Sequence, residues 1–359
     1  SGFAHLSLAV DDGTLTYTTS GSNITITGCV DTCPSDLVLP GTINGNTVTT
    51  IGDSAFQDTG LTSVTIPDSV TSIGNNAFRR AALTSLTLGS GVKTIGSEAF
   101  FQSDITVLTI PDSVTSIALR AFGDIPLKTL VIGNGLNNQT DVGKSAFLNV
   151  CQTLESISID SPRAIGRYGS NNSYDNYLGR DGIRRYYKSY QGLHFGRFNN
   201  ETNQAYNVTA FQCPKLETII IGDNVISVGD YAFDASSDFS SLTSLTLGSG
   251  LTSIGNYAFN GPTNLTSVTI PDSVTSIGSG AFNGATALTS LTLGSGLTVI
   301  GNNAFQNTGL TSVTIPDSVT SIGSYAFEGA ANLSSVNIPA LVTTIGDSAF
   351  QDTGLTSVT

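Results

Sequence analysis

Side chains suited to recognition chemistry are concentrated in one stretch of the chain, residues 161–207. Its basic residues are Arg163, Arg167, Arg180, Arg184, Arg185, Lys188 and Arg197, and its tyrosines are Tyr168, Tyr174, Tyr177, Tyr186, Tyr187, Tyr190 and Tyr206. Tyrosine and arginine are enriched in interface hot spots, and aromatic faces beside arginine also suit a glycan or an acidic polymer. This stretch is therefore a candidate recognition element. The alternative is a local elaboration whose arginines pair with the acidic remainder of the chain and whose tyrosines pack on its side.

No comparable set of residues supports catalysis. The two histidines, His5 and His194, lie in no Ser/His/Asp pattern, no H-E-x-x-H pattern and no phosphate-binding loop. Cys29 and Cys33 form a C-x₃-C pair that could ligate a metal, but no second Cys/His pair lies nearby, so a disulfide is favoured. The sequence predicts a protein that is not an enzyme and that needs no cofactor.

The composition argues against two classes of partner. The chain has 359 residues, a net charge of −13 and a pI of about 4.3, yet only 11% of its residues are charged. A net negative field disfavours nucleic acid and anionic membranes. No apolar run approaches the roughly 20 residues needed to span a bilayer, so membrane insertion of this segment is not expected.

An internal repeat organises most of the chain. Residues 61–82 read LTSVTIPDSVTSIGNNAFRRAA and residues 83–104 read LTSLTLGSGVKTIGSEAFFQSD. In the first of these units Val64 and Ile66 alternate with a polar residue, which predicts a short strand with one buried face. Gly74 is expected either to adopt a positive φ or to allow a close approach of another backbone segment. One unit cannot bury its apolar side alone, whereas stacked copies share a continuous core.

Phenylalanine recurs at one position of the unit, at Phe56, Phe78, Phe100, Phe122, Phe147, Phe211, Phe233, Phe259, Phe282, Phe305, Phe327 and Phe350. Such a ladder of aromatic rings could stack on sugars or bases. Because it runs in phase with the leucines and isoleucines, we interpret it instead as the core of the stack.

The recurring string "IP…V…IG…AF" in units of about 23 residues closely resembles the BspA-like leucine-rich repeat family. The resemblance covers residues 37–359 apart from one insertion. It implies a β-rich solenoid, a curved leucine-rich repeat array with one short parallel strand per coil on its concave face. It also implies surface or secreted proteins that adhere or recognise. Two strings depart from the pattern, since Ala118 replaces the glycine in IALRAF and NVTAF at 207–211 lacks it.

Four segments follow from the repeat. Residues 1–36 read as an N-terminal β-hairpin cap that ends in the Cys29–Cys33 loop. Residues 37–160 and 208–359 are repeats, and residues 161–207 are an insertion. The fifteen residues 51–65 return unchanged at 345–359 without a polar cap, so we expect the array to continue beyond Thr359.

Cys151 and Cys213 flank the insertion, each three residues before a leucine that starts a repeat. Equivalent positions in adjacent coils lie about 4.7–4.9 Å apart, which is within disulfide reach. The sequence therefore predicts a disulfide that joins the two roots of the insertion.

Polar residues recur at two further positions of the unit. Outward hydroxyls of the strands should form a ladder at Thr65, Thr87, Thr109, Thr246, Thr269, Thr292 and Thr314, accompanied by Ser63, Ser85, Ser244, Ser267, Ser290 and Ser312. This ladder could bind saccharides or, on a flat face, ice, but β-compatible polar surface is the simpler interpretation. Asp68, Asp112, Asp272 and Asp317 recur in "IPDS" turns, where solvated turn caps are favoured over weak calcium sites.

The functional interpretation is a secreted recognition or adhesion module, extracellular or at the cell surface, whose partner is a protein or a glycan. Seven sequons are compatible with a secreted glycoprotein, at Asn23, Asn138, Asn171, Asn200, Asn207, Asn264 and Asn332. The alternative function is a structural subunit of an extracellular filament, sheath or surface layer, in which copies of the chain bind one another.

Overall fold

The computed structural model describes residues 6–8, 13–136, 142–143, 146–160, 174–178, 184–188, 213–234 and 241–356. The chain forms two compact units. The first comprises Ser1–Arg163 with Cys213–Asn224, and the second comprises Ala164–Gln212 with Val225–Thr359. Among the described residues, helix is limited to one 3-10 turn, Val150–Gln152.

Short strands account for the regular structure of both units. In the first unit they are β1 (Leu6–Leu8), β2 (Leu15–Ser20), β3 (Asn23–Cys29), β4 (Asp36–Val38), β5 (Thr42–Ile43), β6 (Asn46–Ile51), β7 (Ser63–Thr65), β8 (Ser72–Ile73), β9 (Ser85–Thr87), β10 (Thr94–Ile95), β11 (Val107–Ile110), β12 (Ser116–Ile117), β13 (Thr129–Ile132), β14 (Ser156–Ile159) and β17 (Thr218–Ile221). In the second unit they are β15 (Tyr174–Leu178), β16 (Arg184–Lys188), β18 (Ser227–Val228), β19 (Ser244–Leu247), β20 (Ser253–Ile254), β21 (Ser267–Thr269), β22 (Ser276–Ile277), β23 (Ser290–Thr292), β24 (Val299–Ile300), β25 (Ser312–Thr314), β26 (Ser321–Ile322), β27 (Ser335–Asn337) and β28 (Thr344–Ile345).

The coils contribute first and second strands, and each set pairs in parallel with the equivalent strands of neighbouring coils, divided over several hydrogen-bonded sheets. We call the two sets the first-strand sheet, of which β7 and β9 are typical, and the second-strand sheet, of which β8 and β10 are typical. Ser63 pairs with Ser85 in the first and Ser72 with Thr94 in the second, so partners occupy the same position of successive repeats. The predicted short parallel strand of each coil is confirmed. The second strand, only two residues long, was not foreseen because two residues show no alternation.

The same arrangement recurs in the second unit. Its second-strand sheet runs β18, β20, β22, β24, β26 and β28 in chain order. Its first strands include the parallel pairs β21 with β23 and β25 with β27. Strand order therefore follows chain order, as expected when each coil stacks on the previous one.

The N-terminal residues form the predicted β cap. Strands β1, β2 and β3 pair antiparallel, and β3 then joins β6 in parallel at the start of the second-strand sheet. The side chains of Leu15, Tyr17, Ile24 and Ile26 are buried. The cap therefore continues the core past the first coil and covers its apolar side.

The phenylalanine ladder is the centre of the core, as predicted. Successive rings stack nearly parallel, with centroids 5.0 Å apart between Phe56 and Phe78 and 5.6 Å apart between Phe282 and Phe305. All the ladder phenylalanines from Phe56 to Phe327 that the structure describes are buried. Phe211 lies outside the described residues. An aromatic surface for sugars or bases is thus excluded for the buried rings, since no face of them reaches solvent.

The repeat glycine lies at a close approach of the backbone, the second of the two expectations for Gly74. A Cβ atom at Gly74 would lie 2.6 Å from the backbone nitrogen of Asp53 in the previous coil. Ala118 occupies the same position without losing the coil geometry, because its N–H still donates to the carbonyl of Ile95 at 2.8 Å. Positive φ values occur instead just before the Ala-Phe pair, as at Asn76 with φ 57°.

Candidate functional site

One face of the first-strand sheet presents side chains to solvent. In the three-residue strands from β4 onward the middle residue points inward, whereas the first and third are partly or fully exposed, as in Ser267, Val268 and Thr269. Within each paired set these outward residues lie in register from coil to coil, for example Ser267 beside Ser290 and Thr269 beside Thr292. The predicted hydroxyl ladder is present, and its threonines are exposed at Thr65, Thr87, Thr109, Thr246, Thr269, Thr292 and Thr314.

The ladder threonines of this face do not hold the coils together, although Ser63 of the same face donates to Oδ1 of Asp36 in the neighbouring strand at 2.7 Å. None of the ladder threonines donates a side-chain hydrogen bond to another described residue, in contrast to threonines that directly precede a strand. Of these, Thr71 donates to the carbonyl of Thr49 at 3.2 Å and Thr298 to that of Thr275 at 2.9 Å. Thr84, directly before β9, likewise donates to the carbonyl of Thr62 at 3.1 Å, so the difference lies between positions of the repeat and not between the two sheets.

Aliphatic side chains interrupt the hydroxyl ladder in the first unit. Val38 is 75% exposed, Val107 57% and Ile220 37%, all at outward positions of first strands. The register of β11, β13, β14 and β17 places Val107 in line with Thr218, and Thr109 in line with Ile220. The sequence does not single out these residues, because they depart from the repeat consensus only at its variable positions.

The turn aspartates have a structural function between coils. Carboxylate oxygens of Asp68, Asp112 and Asp272 accept the backbone N–H of the next coil at 2.7, 2.9 and 2.7 Å. They are exposed, as expected of turn caps, but the contact to the next coil was not foreseen. In the part of the chain that the structure describes, no group of three or more His, Cys, Asp or Glu side chains could hold a metal ion.

Acid should destabilise the protein through Asp68 and Asp272. Hydrogen bonds from the backbone N–H of Ser90 and Ser295 lower the pKa of these carboxyls from the ordinary 3.8. Because the folded-state pKa is the lower one, this stabilisation is complete above the unfolded pKa and is lost as the pH falls through the folded pKa.

The double variant Asp68→Asn/Asp272→Asn keeps an acceptor oxygen at both positions but cannot be protonated in this range. We expect its melting temperature to fall less than that of the wild type between about pH 6 and about pH 3. Thermal unfolding at a series of pH values measures the difference. Equal declines in the two proteins would contradict the assignment.

Both cysteine pairs are joined by disulfides in the structure. Cys29 and Cys33 have Cα atoms 5.4 Å apart, and Cys151 and Cys213 have Cα atoms 4.3 Å apart. Across the insertion, β14 pairs directly with β17, for instance Ile157 with Ile219. The stack of coils therefore continues across the insertion, whose two ends leave and re-enter at neighbouring positions.

The insertion contains an antiparallel hairpin of β15 and β16. Its register pairs Tyr174 with Lys188 and Tyr177 with Arg185. Of the other candidate binding residues, Arg184, Tyr186 and Tyr187 also lie on β16, whereas Arg163, Arg167, Tyr168, Arg180, Tyr190 and Arg197 lie outside the described residues. The backbone thus brings aromatic and basic residue types together, and their role in binding stays a prediction.

Three of the predicted sequons fall within the described residues. Asn23, Asn264 and Asn332 are exposed. Asn264 and Asn332 occupy equivalent positions, each directly before a buried leucine of its coil. Asn138, Asn171, Asn200 and Asn207, together with His5 and His194, lie outside the described residues.

Comparison with known proteins identifies a repeat family. The family described as "BspA type Leucine rich repeat region" matches the chain in six copies, over residues 49–175, 204–298 and 252–359. No curated protein matches the chain. Within the described residues, no helix has the length and apolar character that crossing a membrane requires.

Several solved structures are similar to the chain. A leucine-rich repeat protein from Bacteroides ovatus is 22% identical, with 96% of this chain and 91% of that chain covered and a TM-score of 0.39. A leucine rich cell surface protein from Faecalibacterium prausnitzii is 23% identical, with 95% of each chain covered and a TM-score of 0.30. The pneumococcal vaccine antigen PcpA is 16% identical, with 97% of this chain and 88% of that chain covered and a TM-score of 0.30.

Proposed function

Since the chain belongs to the BspA-type leucine-rich repeat family, we propose that it is a surface recognition module that binds a protein or glycan partner through the exposed face of its first-strand sheet. The Tyr/Arg-rich insertion, residues 161–207, supplies a second contact. An extracellular location accords with two disulfides, which persist in oxidising compartments. Glycosylation at Asn23, Asn264 and Asn332 stays a prediction, supported by their exposure.

The exposed threonines in the third position of the first strands carry this proposal. Threonines directly before a strand, such as Thr71 and Thr84, donate to carbonyls of the previous coil, so they stabilise the stack. Threonines in the third position of the first strands, such as Thr109, have no such partner among the described residues. They are therefore free to bond a ligand without any loss to the fold.

The aliphatic residues of the first unit extend the same surface. Exposed Val38, Val107 and Ile220 add apolar area to a face that is otherwise polar. Protein interfaces combine an apolar centre with a polar rim, so this composition suits a protein partner. In the second unit the outward positions of β21, β23 and β25 are serine and threonine. This part of the face suits a polar or glycosylated partner.

Charge placed on the first-strand sheet should weaken recognition without unfolding the protein. The variant Thr87→Glu/Thr109→Glu introduces two carboxylates at exposed positions of β9 and β11. We expect at least a tenfold loss of affinity, because the partner must desolvate both charges. Arrays of glycans and of extracellular-matrix proteins identify a ligand, and surface plasmon resonance then measures its affinity.

The control is Thr94→Glu/Thr115→Glu, which adds the same charge at exposed positions on the other face and also removes the hydrogen bonds that Thr94 and Thr115 donate to Ser72 and Lys93. It should retain the affinity of the wild type. Equal losses in both variants would make the effect one of net charge, and retained binding in Thr87→Glu/Thr109→Glu would exclude this face. A variant lacking 161–207 separates the contribution of the insertion.

Light scattering across a range of concentrations tests the self-assembly alternative. A monomer supports the recognition module. Ordered fibres that grow with concentration would instead indicate a structural subunit.

A further inference from the structure

An open depression of about 500 Å³, which we call the cleft, lies on the surface of the first unit. Its lining includes Gln102, Asp104, Asp124, Pro126, Asn149 and Thr153, which belong to the turns that follow Phe100, Phe122 and Phe147. We propose that this cleft is a second binding site, specific for a neutral saccharide. None of its lining residues belongs to the first-strand face.

The cleft results from an irregularity in turn length. Five positions separate Phe122 from the next core leucine, Leu127, whereas seven separate Phe147 from Leu154. The extra residues form the 3-10 turn Val150–Gln152, which buries Val150 and Cys151 against the core. A longer turn beside two shorter ones leaves a recess between them.

The floor of the cleft is rigid. Ser103 and Ile125 are both 2% exposed. The backbone N–H of Gln102 donates to the carbonyl of Gly123 at 3.0 Å, which ties the first turn to the second. The hydroxyl of Thr153 donates to the carbonyl of Leu127 at 2.8 Å and ties the third turn to the second. A site held in this way requires little ordering when a ligand binds.

Hydrogen-bonding groups of both kinds remain available in the cleft. The side-chain amide of Gln102 and the carboxylate of Asp104 make no hydrogen bond to another described residue. Asn149 donates from Nδ2 to Oδ1 of Asp124 at 2.5 Å, which orients this carboxylate and leaves its second oxygen unused by any described residue. Pro126 adds an exposed apolar ring.

This set of groups selects the ligand class. Carboxylate oxygens accept from sugar hydroxyls, amides both donate to and accept from them, and a proline ring can contact the apolar C–H face of a pyranose. Two carboxylates without a lining Lys or Arg repel an anionic ligand.

Titration of the full chain with free sugars tests the site. N-acetylglucosamine, galactose, mannose, cellobiose and sialic acid are the probes, with saturation-transfer difference NMR to detect binding and calorimetry to measure affinity. We expect at least one neutral sugar to bind and sialic acid to be excluded. Asp104→Ala and Asp124→Asn should each lower the affinity at least tenfold.

Asp352→Asn is the matched control, because Asp352 occupies in the second unit the turn position that Asp124 occupies in the first, two residues after the ladder phenylalanine. It should bind like the wild type, as should Thr87→Glu/Thr109→Glu on the first-strand face. Absence of binding by every neutral sugar would overturn the proposal, and so would unchanged affinity in both cleft variants. Binding of methylammonium or guanidinium in place of sugars would reassign the cleft to cations.

Discussion

Replacing Phe282 with alanine should lower the free energy of unfolding by about 3–5 kcal/mol. The ring is fully buried and stacks on Phe259 at 5.4 Å and on Phe305 at 5.6 Å. Removing it deletes contacts to two coils at once and leaves a cavity that rigid neighbouring coils cannot fill. In a stack where each coil contacts only its neighbours, the loss falls on two interfaces.

Phe282→Leu is the control for this experiment, since it keeps most of the apolar volume and should lose much less stability. Denaturant unfolding followed by circular dichroism measures both variants. In Phe282→Ala, backbone amides should exchange faster than in the wild type, both in the coil of Phe282 and in the coils of Phe259 and Phe305. A midpoint for Phe282→Ala equal to that of the wild type would refute the ladder as the centre of the core.

Repetition made the core predictable from sequence. Any one copy of L-x-x-V-x-I is too short to distinguish a strand from a loop, but recurrence at a constant spacing shows which positions share a side. Val64 and Ile66 were therefore correctly assigned to the interior, and both are buried. The disulfide between Cys151 and Cys213 followed from the same logic, because equivalent positions in adjacent coils must be neighbours.

Features that join one coil to the next were harder to foresee. The carboxylate of Asp68 accepts the backbone N–H of Ser90 in the next repeat, and this contact has no signature within a single unit. Thr71 and Thr109 look alike in sequence, yet only the first donates to the neighbouring coil. Which threonines remain free depends on the direction of each side chain relative to a carbonyl one coil away.

The cleft in the first unit was not predictable at all. Its walls come from three turns whose residues vary between repeats, including Gln102, Asp124 and Asn149. Because these positions vary between repeats, an alignment of the units gives no consensus for them. The only sequence signal was the greater length of the turn after Phe147, which indicates an irregularity but says nothing about its shape.

Removal of the disulfide at the roots of the insertion should have the second large effect. In the chain-entropy relation, a bridge between residues 62 positions apart stabilises the folded state by about 4 kcal/mol. The double variant Cys151→Ala/Cys213→Ala leaves two small apolar side chains at buried positions, so lost cross-linking dominates the change. Chemical denaturation of the oxidised wild type and of the variant measures the difference.

The size of this effect depends on the length of chain that the bridge encloses, which supplies two internal controls. Cys29→Ala/Cys33→Ala opens a loop of only 4 positions and should lower stability by about 2 kcal/mol. Deleting 161–207 shortens the loop between Cys151 and Cys213 to about 15 positions, so the bridge should then contribute about 3 kcal/mol. If the loss from Cys151→Ala/Cys213→Ala does not decrease in the deleted protein, the disulfide acts through local packing of the coils. If it does decrease, the bridge stabilises the fold by constraining the insertion in the unfolded chain.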